Sequence, residues 1–372
     1  MRRAELSSAE KIDWLRLSRT AGIGPITFTT LLERYGTASA ALEALPRLAE
    51  RAGRDKPVRI PSVAEVNTEI DKSGRLGLRL VARPEPGYPK LLREIEDAPP
   101  VIAIGRNIAL LERPTVAIVG ARNASTNGKR IAERLAHDLA EAGLVVISGL
   151  ARGIDTAAHR AALDHGTVAV IAGGADIVYP PENATLQSEI VARGCLVTEA
   201  AIGTEPMARH FPRRNRIISG LAPGVIVVEA ARNSGSLITA RMALEQGRDV
   251  FAVPGSPLDP RAQGTNNLIR QGAVLTETAD DVLQVLSSLR LKAADPAADA
   301  SKPLLSIENP SESETDEARR TILEALGPTP VPVDELVRRC QVSLPIVLTV
   351  LLELELSGRL ERQAGQRVSL VT

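Results

Sequence analysis

The sequence predicts an α/β protein built on a doubly wound, Rossmann-like parallel sheet, and three observations carry that prediction. Between Thr115 and about Leu286, short runs rich in Val and Ile recur at regular intervals, each is followed by a loop bearing Gly or Ser, and the loops open amphipathic helical patterns. Near-continuous apolar strands separated by helices describe a parallel sheet covered on both faces. The runs are residues 116–119, 144–147, 168–171, 196–198, 225–228, 250–253 and a shorter 273–275. In such folds a ligand lies beyond the carboxyl ends of the strands. The loops that follow the runs are therefore where functional residues are sought.

Two further modules frame the sheet. Residues 1–82 read as a small helical domain of the SAM or helix-hairpin-helix kind, with helical patterns at 11–17 and 26–35 around the turn Gly22-Ile23-Gly24-Pro25. That turn admits two readings: exposed amides that meet a DNA phosphate, or a Gly-rich turn between packed helices. A connector rich in Pro, including Arg83-Pro84-Glu85-Pro86-Gly87-Tyr88-Pro89, leads into a sheet domain assigned to residues 83–286. Residues 287–317 turn to Ala, Pro, Asp, Ser and Glu, with too few large apolar residues to fold alone, and read as an acidic flexible linker. Residues 318–372 supply helices at 318–326, 333–340 and 344–357 and a hairpin from 359–362 with 367–370, the pattern of a winged helix. Its third helix carries no basic residue, whereas a major-groove reader needs Arg, Lys, Asn or Gln there, which favours protein interaction or regulation over DNA reading.

Composition narrows the function classes. With 372 residues, 44% of them apolar, the chain has material for several domains, and its formal net charge of zero gives no global pull toward polyanions. A nucleic-acid site must then come from local clustering of Arg. Cys195 and Cys340 are too few for a disulfide framework or a zinc site, and no apolar run is long enough for a signal peptide or a membrane span. A soluble, cytoplasmic protein without metal or cofactor is the expectation.

The strand-end loops offer guanidinium groups, amides and hydroxyls but no evident nucleophile or acid/base pair. The first run ends in Gly120-Ala121-Arg122-Asn123-Ala124-Ser125-Thr126-Asn127-Gly128-Lys129-Arg130. This is not a G-x-G-x-x-G turn, and the second run ends in Ser148-Gly149 where an acidic ribose ligand would stand, so NAD is not expected. It is not a Walker A loop either, because Asn123 replaces the leading Gly and Arg130 follows Lys129 in place of Ser or Thr. Arg122 at the strand edge calls for an anion or a carboxylate, and Ser125, Thr126 or Asn127 suits a helix N-cap. In Ser148-Gly149-Leu150-Ala151-Arg152-Gly153-Ile154-Asp155 the glycines permit close approach to the main chain, and Asp155 reads as the N-cap of the helix containing His159.

Arg209, Arg213, Arg214 and Arg216 fall within eight residues, opposed nearby by Glu205 alone. At helical spacing Arg213 and Arg216 share a face and Arg214 points elsewhere, so two of the cluster are expected to touch a strand of nucleic acid and another to make structural salt bridges. Phe211 is placed to stack on a base. The run Ser234-Gly235-Ser236-Leu237 opens a further helix whose free amides and hydroxyls suit an anion, with ordinary capping accounting for part of the pattern.

Taken in order, these motifs resemble the DNA processing protein A family (DprA, also called Smf). The likeness covers about residues 88–273, through the Gly-Ala-Arg loop, Ser-Gly-Leu-Ala-Arg-Gly-Ile-Asp, Tyr179-Pro180-Pro181-Glu182-Asn183, Phe-Pro-x-Arg-Asn-Arg-Ile-Ile-Ser-Gly, Gly-Ser-Leu-Ile-Thr-Ala and Val253-Pro254-Gly255. The resemblance implies a dimeric, non-catalytic protein of the cytoplasm that binds single-stranded DNA, protects it during natural transformation or repair, and helps the RecA recombinase load. It places the strand against Gly120, Arg122, Ser148, Gly149, Arg152, Arg209, Phe211, Arg213, Asn215, Arg216 and the turn Ser234, Gly235, Ser236 and Leu237. Two departures stand out: Ala208, with Arg209 beside it, where relatives often carry Lys, and Pro181 where some carry Lys. The alternative is a nucleotide-processing hydrolase on a related sheet. The phosphoribohydrolases of that kind carry Pro-Gly-Gly-x-Gly-Thr-x-x-Glu, and the Gly235 region lacks its glutamate.

Overall fold

The structure, a computed structural model, describes residues 5–51, 58–293, 312–363 and 366–371. Its helical beginning consists of α1 (Ser8–Ser18), α2 (Pro25–Tyr35) and α3 (Ala38–Arg51). Ser7 caps α1 reciprocally with Glu10, and Trp14 meets Phe28 across α1 and α2 with ring centroids 4.9 Å apart. The turn before α2 is tied down by Ile23, which is buried between Gly22 at φ +89° and Gly24. Helix α4 (Val63–Arg75) then leads to the sheet.

The sheet has nine strands: β1 (Arg79–Ala82), β2 (Val101–Ile104), β3 (Thr115–Val119), β4 (Val145–Ser148), β5 (Thr167–Val170), β6 (Cys195–Thr198), β7 (Gly224–Val227), β8 (Asp249–Ala252) and β9 (Val274–Leu275). Between them run α5 (Lys90–Glu94), α6 (Thr126–Glu141), α7 (Ile154–Ala162), α8 (Ala184–Arg193), α9 (His210–Gly220), α10 (Gly235–Glu245) and α11 (Gln263–Arg270), with α12 (Ala279–Ala293) after β9. The spatial order is β1-β2-β6-β5-β4-β3-β7-β8-β9, parallel from β6 to β9 and antiparallel at β1 and β2. Chain order thus reverses between β3 and β7, the switch point at which doubly wound sheets open a crevice. Alternation of side chains produces the two layers: Ala117 and Val119 enter one apolar cluster, Val116 and Ile118 the other.

Two expectations are corrected here. β1 falls inside residues 1–82, expected to be helical, and with β2 beyond the Pro-rich stretch it extends the sheet past β6; the stretch itself is tied down by Glu85 accepting from the Ala82 amide at 2.7 Å and the Tyr88 hydroxyl donating to the Pro99 carbonyl at 2.7 Å. The expected linker is shortened at both ends, because α12 continues to Ala293 and α13 begins at Glu312; its remaining residues lie outside those described.

The C-terminal residues form α13 (Glu312–Ala325), β10 (Val331–Pro332), α14 (Val333–Cys340), α15 (Leu344–Leu356), β11 (Leu360–Gln363) and β12 (Arg367–Leu370), with a three-stranded sheet ordered β10-β12-β11. This is the winged helix. By backbone packing it groups with residues 6–66 rather than with the nine-stranded sheet. Helix α15 is covered on more than one side: Val347, Val350, Leu351 and Leu354 enter the winged-helix core, α3 packs on the same helix, and Leu352 and Leu356 are buried outside that core. Among the described residues no helix is long and apolar enough to cross a membrane.

Candidate nucleic-acid interface

Helix α9 begins over the carboxyl ends of β4 and β5, and its first turn decides the site. Arg214 is buried and donates to the carbonyls of Gly149 and Val170, the latter at 2.6 Å, and through Nε to Asn215 Oδ1 at 3.2 Å. A buried guanidinium needs a counter-charge, and Asp155 lies beside it. Burial lowers the Arg214 guanidinium to about 10, Asp155 opposes that shift and Arg122 adds to it, so the group stays charged at neutral pH. Burial raises the Asp155 carboxyl, against the pull of Arg214 and the Ala151 amide.

Asp155 is therefore not the N-cap that its position suggested. Gly153, at φ +78°, occupies the cap, and a side chain there would run into the Ala121 and Arg122 carbonyls. His159 is fully buried; its Nδ1 meets the Thr167 hydroxyl at 2.7 Å, and burial, followed by Arg214, pushes the imidazole down to about 3. Both side chains are turned into the protein.

The loop after β4 is fixed from behind. Leu150 holds the left-handed conformation at φ +55°, and Asn183 donates to its carbonyl at 3.0 Å and to Thr156 Oγ1 at 2.9 Å. Ser148 is buried and gives its hydroxyl to the Ile118 carbonyl at 2.6 Å. Side chains at Gly120 or Gly149 would strike Ile154, or Arg214 with Asp155. These glycines are required by internal packing, whatever approaches from outside.

On this base stands an aromatic and cationic cradle. The Arg122 guanidinium lies over the Phe211 ring at 4.6 Å, Tyr179 meets the same ring at 5.5 Å between centroids, and Arg214 backs it at 5.9 Å. Phe211 and Tyr179 share a small recess with Gly149, Ala151, Ile171 and Arg214. Arg122, Arg209 and Arg213 are exposed and form no ion pair among the described residues. Arg152 is exposed too but pairs with Glu182 at 2.6 Å. His210 is held below the ordinary imidazole range by partial burial and by Arg209 and Arg213 on either side.

Arg216 does not join the cradle. It is buried, donates to the Asp97 carbonyl, pairs with Glu199, and lies 3.5 Å from the Asp97 carboxylate. Asn215 is buried as well and reaches the Gly235 carbonyl at 3.4 Å, linking α9 to the start of α10. There Ser234 caps the helix, its hydroxyl 2.7 Å from that of Ser236, while Gly235 is exposed and Leu237 packs against the core. The structure thus brings Arg122 onto the half-buried Phe211, with Gly149 and Arg214 behind the ring, and leaves Arg209 and Arg213 exposed on either side of Phe211 in the chain. Gly120, Ser148, Asn215 and Arg216 serve the scaffold.

Sequence reasoning assigned no role to Tyr179 and Asn183, although the Tyr-Pro-Pro-Glu-Asn motif contains both. It also missed Asp97, Glu199 and Glu229, single carboxylates outside any motif whose partners lie far away in the chain.

Fold and site define a doubly wound α/β protein that presents an arginine–aromatic cradle at the carboxyl edge of its sheet. Family models give the assignment. Residues 79–287 match the DNA recombination-mediator protein A model, residues 8–71 a DprA-like N-terminal HHH domain, and residues 306–366 a DprA winged helix domain. The chain belongs to the DNA processing protein A (DprA/Smf) family. It is 50% identical to the DNA processing protein DprA of Streptococcus pneumoniae over 198 residues, covering 53% of this chain and 70% of that protein. It is 30% identical to the Protein Smf of Synechocystis across 97% of this chain and 99% of that protein. The solved DNA processing protein A of S. pneumoniae superposes with a TM-score of 0.62 at 38% identity, over 76% of this chain and 98% of that one. That of Helicobacter pylori, a structure addressing its single-stranded DNA binding mode, gives 0.50 at 30% identity, over 54% and 93%.

Proposed function

We propose that this protein binds single-stranded DNA at the Arg122–Phe211 cradle and acts as a recombination mediator. The observation that carries the reading is the juxtaposition of a stackable ring with unpaired guanidiniums at one strand edge: Arg122 lies on Phe211, and Arg213 projects two residues further along α9. A single strand presents both groups that this pattern takes, an unstacked base and a phosphate, whereas a duplex hides its base faces. Arg209 supplies cation at the rim where Ala208 does not. The finer parts of the proposal are action in the cytoplasm, pairing as a homodimer through the sheet domain, and loading of RecA in natural transformation or repair; family membership supports them.

The test is oligo-dT binding by wild type, Arg122→Ala and Phe211→Ala, followed by RecA filament assembly on DNA coated with a single-strand binding protein. Weakened binding in both folded variants and faster assembly with wild type are expected. Unchanged binding in both sinks the cradle; normal binding without any effect on assembly sinks the mediator role alone.

A further inference from the structure

The crevice between β3 and β7 is the place where a doubly wound sheet ordinarily receives a nucleotide phosphate, because the helix after the first strand points its amino end there. Here that helix is α6, and its end is already in use. Glu229, two residues past β7, reaches across the switch point: Oε2 accepts the Ser125 amide at 2.9 Å and Oε1 accepts the Ser125 hydroxyl at 2.5 Å. Ser125 in turn accepts the Gly128 amide at 2.9 Å, so the cap and the carboxylate form one unit. A side chain at Gly128 would collide with the Glu229 carboxylate, which means that the carboxylate rests directly on the first turn of the helix.

We propose that Glu229 is a specificity residue, a built-in anion that seals the switch-point crevice and makes the chain reject phosphate monoesters such as nucleoside monophosphates. The carboxylate occupies the place of a ligand oxygen, consumes the donors of the cap residue, and repels a second anion. Anionic ligands are thereby confined to the separate cradle around Arg122. The inference goes beyond the proposed function and does not depend on it.

The test uses the full chain and two probes, inorganic phosphate and AMP, measured by calorimetry. Wild type is expected to bind either at best weakly, and Glu229→Ala to bind phosphate at least about tenfold more tightly than the limit set by wild type. Adding Ser125→Ala to that variant should reduce the gain, because the vacated hydroxyl donor is then lost while the main-chain amide of residue 125 remains. Glu229→Asp, which draws the carboxylate back by one methylene, should gain less. If Glu229→Ala folds only when phosphate is present, that dependence also supports the proposal. A folded Ala or Asp variant with no gain, tight phosphate binding by wild type, or an Ala variant that stays unfolded in phosphate overturns it. Oligo-dT affinity of wild type reads the proposed function separately, so that failure of either idea is visible without the other.

Discussion

Helix α9 carries Arg213, Arg214 and Arg216 near its start, whereas α15 carries no Arg or Lys along its 13 residues. The contrast is sharper than that count. Of the three arginines in α9, Arg214 and Arg216 are buried and satisfied by Asp155, Glu199, Asp97 and main-chain carbonyls, and Arg213 alone projects outward. In α15 the charged residues are Glu353 and Glu355, paired with Arg319 and Arg362, and the apolar residues from Val347 to Leu356 that are buried lie on more than one side, while Leu344 at the start is exposed. The difference teaches that phosphate capacity follows the number of exposed, unpaired guanidiniums rather than the number of arginines. By that measure the sheet edge is equipped for a polyanion and the third helix of the winged helix is not.

The largest effect that can break this comparison is expected at Arg214. Replacing it with Ala strands Asp155 in a buried site and frees two carbonyls, which should cost about 3–5 kcal/mol of stability. Chemical denaturation of Arg214→Ala checks this; a stable variant that merely loses DNA would turn Arg214 into a contact residue. Next in size is Leu351→Ala in α15, expected to cost about 2–5 kcal/mol in the C-terminal module through the cavity it leaves. Oligo-dT affinity should stay unchanged in that variant under folding conditions, and a marked loss would give α15 a role in DNA contact. Phe211→Ala should weaken oligo-dT binding by about 1–3 kcal/mol, the worth of one base–aromatic stack, with little change in melting temperature.

The smallest effect is expected at Arg213, an exposed cation whose removal costs one phosphate contact. The logarithmic salt dependence of oligo-dT binding should become shallower by about 0.7 in Arg213→Ala. Arg216→Ala should instead appear as a loss of stability with the salt dependence unaltered, because its guanidinium is taken up by Glu199 and Asp97.

How far the sequence could foresee this arrangement depends on where each partner lies. The parallel strands were legible because runs such as Val145–Ser148 are buried on both faces and open with Val-Val-Ile. Strand β1 was not, since Arg79–Ala82 offers one short run beside prolines and gains its meaning only by pairing with β2. Helical spacing set Arg214 apart from Arg213 and Arg216, but it could not say which side of α9 meets the protein. Asp97 and Glu199, which claim Arg216, come from segments 119 and 17 residues away. Arg122 stood out as a strand-edge cation that calls for an anion or a carboxylate and Phe211 as a ring able to stack on a base, yet their contact across 89 positions is visible only in three dimensions.

Single-strand binding at the sheet edge is read by fluorescence anisotropy of labelled oligo-dT and of a duplex of equal length across a salt series, with wild type and the Arg122→Ala/Arg213→Ala double variant. Preference for the single strand, affinity that falls with salt, and a slope shallower by about 1.4 in the double variant, two phosphate contacts having been removed, are the expected results. Equal binding to the duplex, or a double variant with the wild-type slope, would contradict such binding.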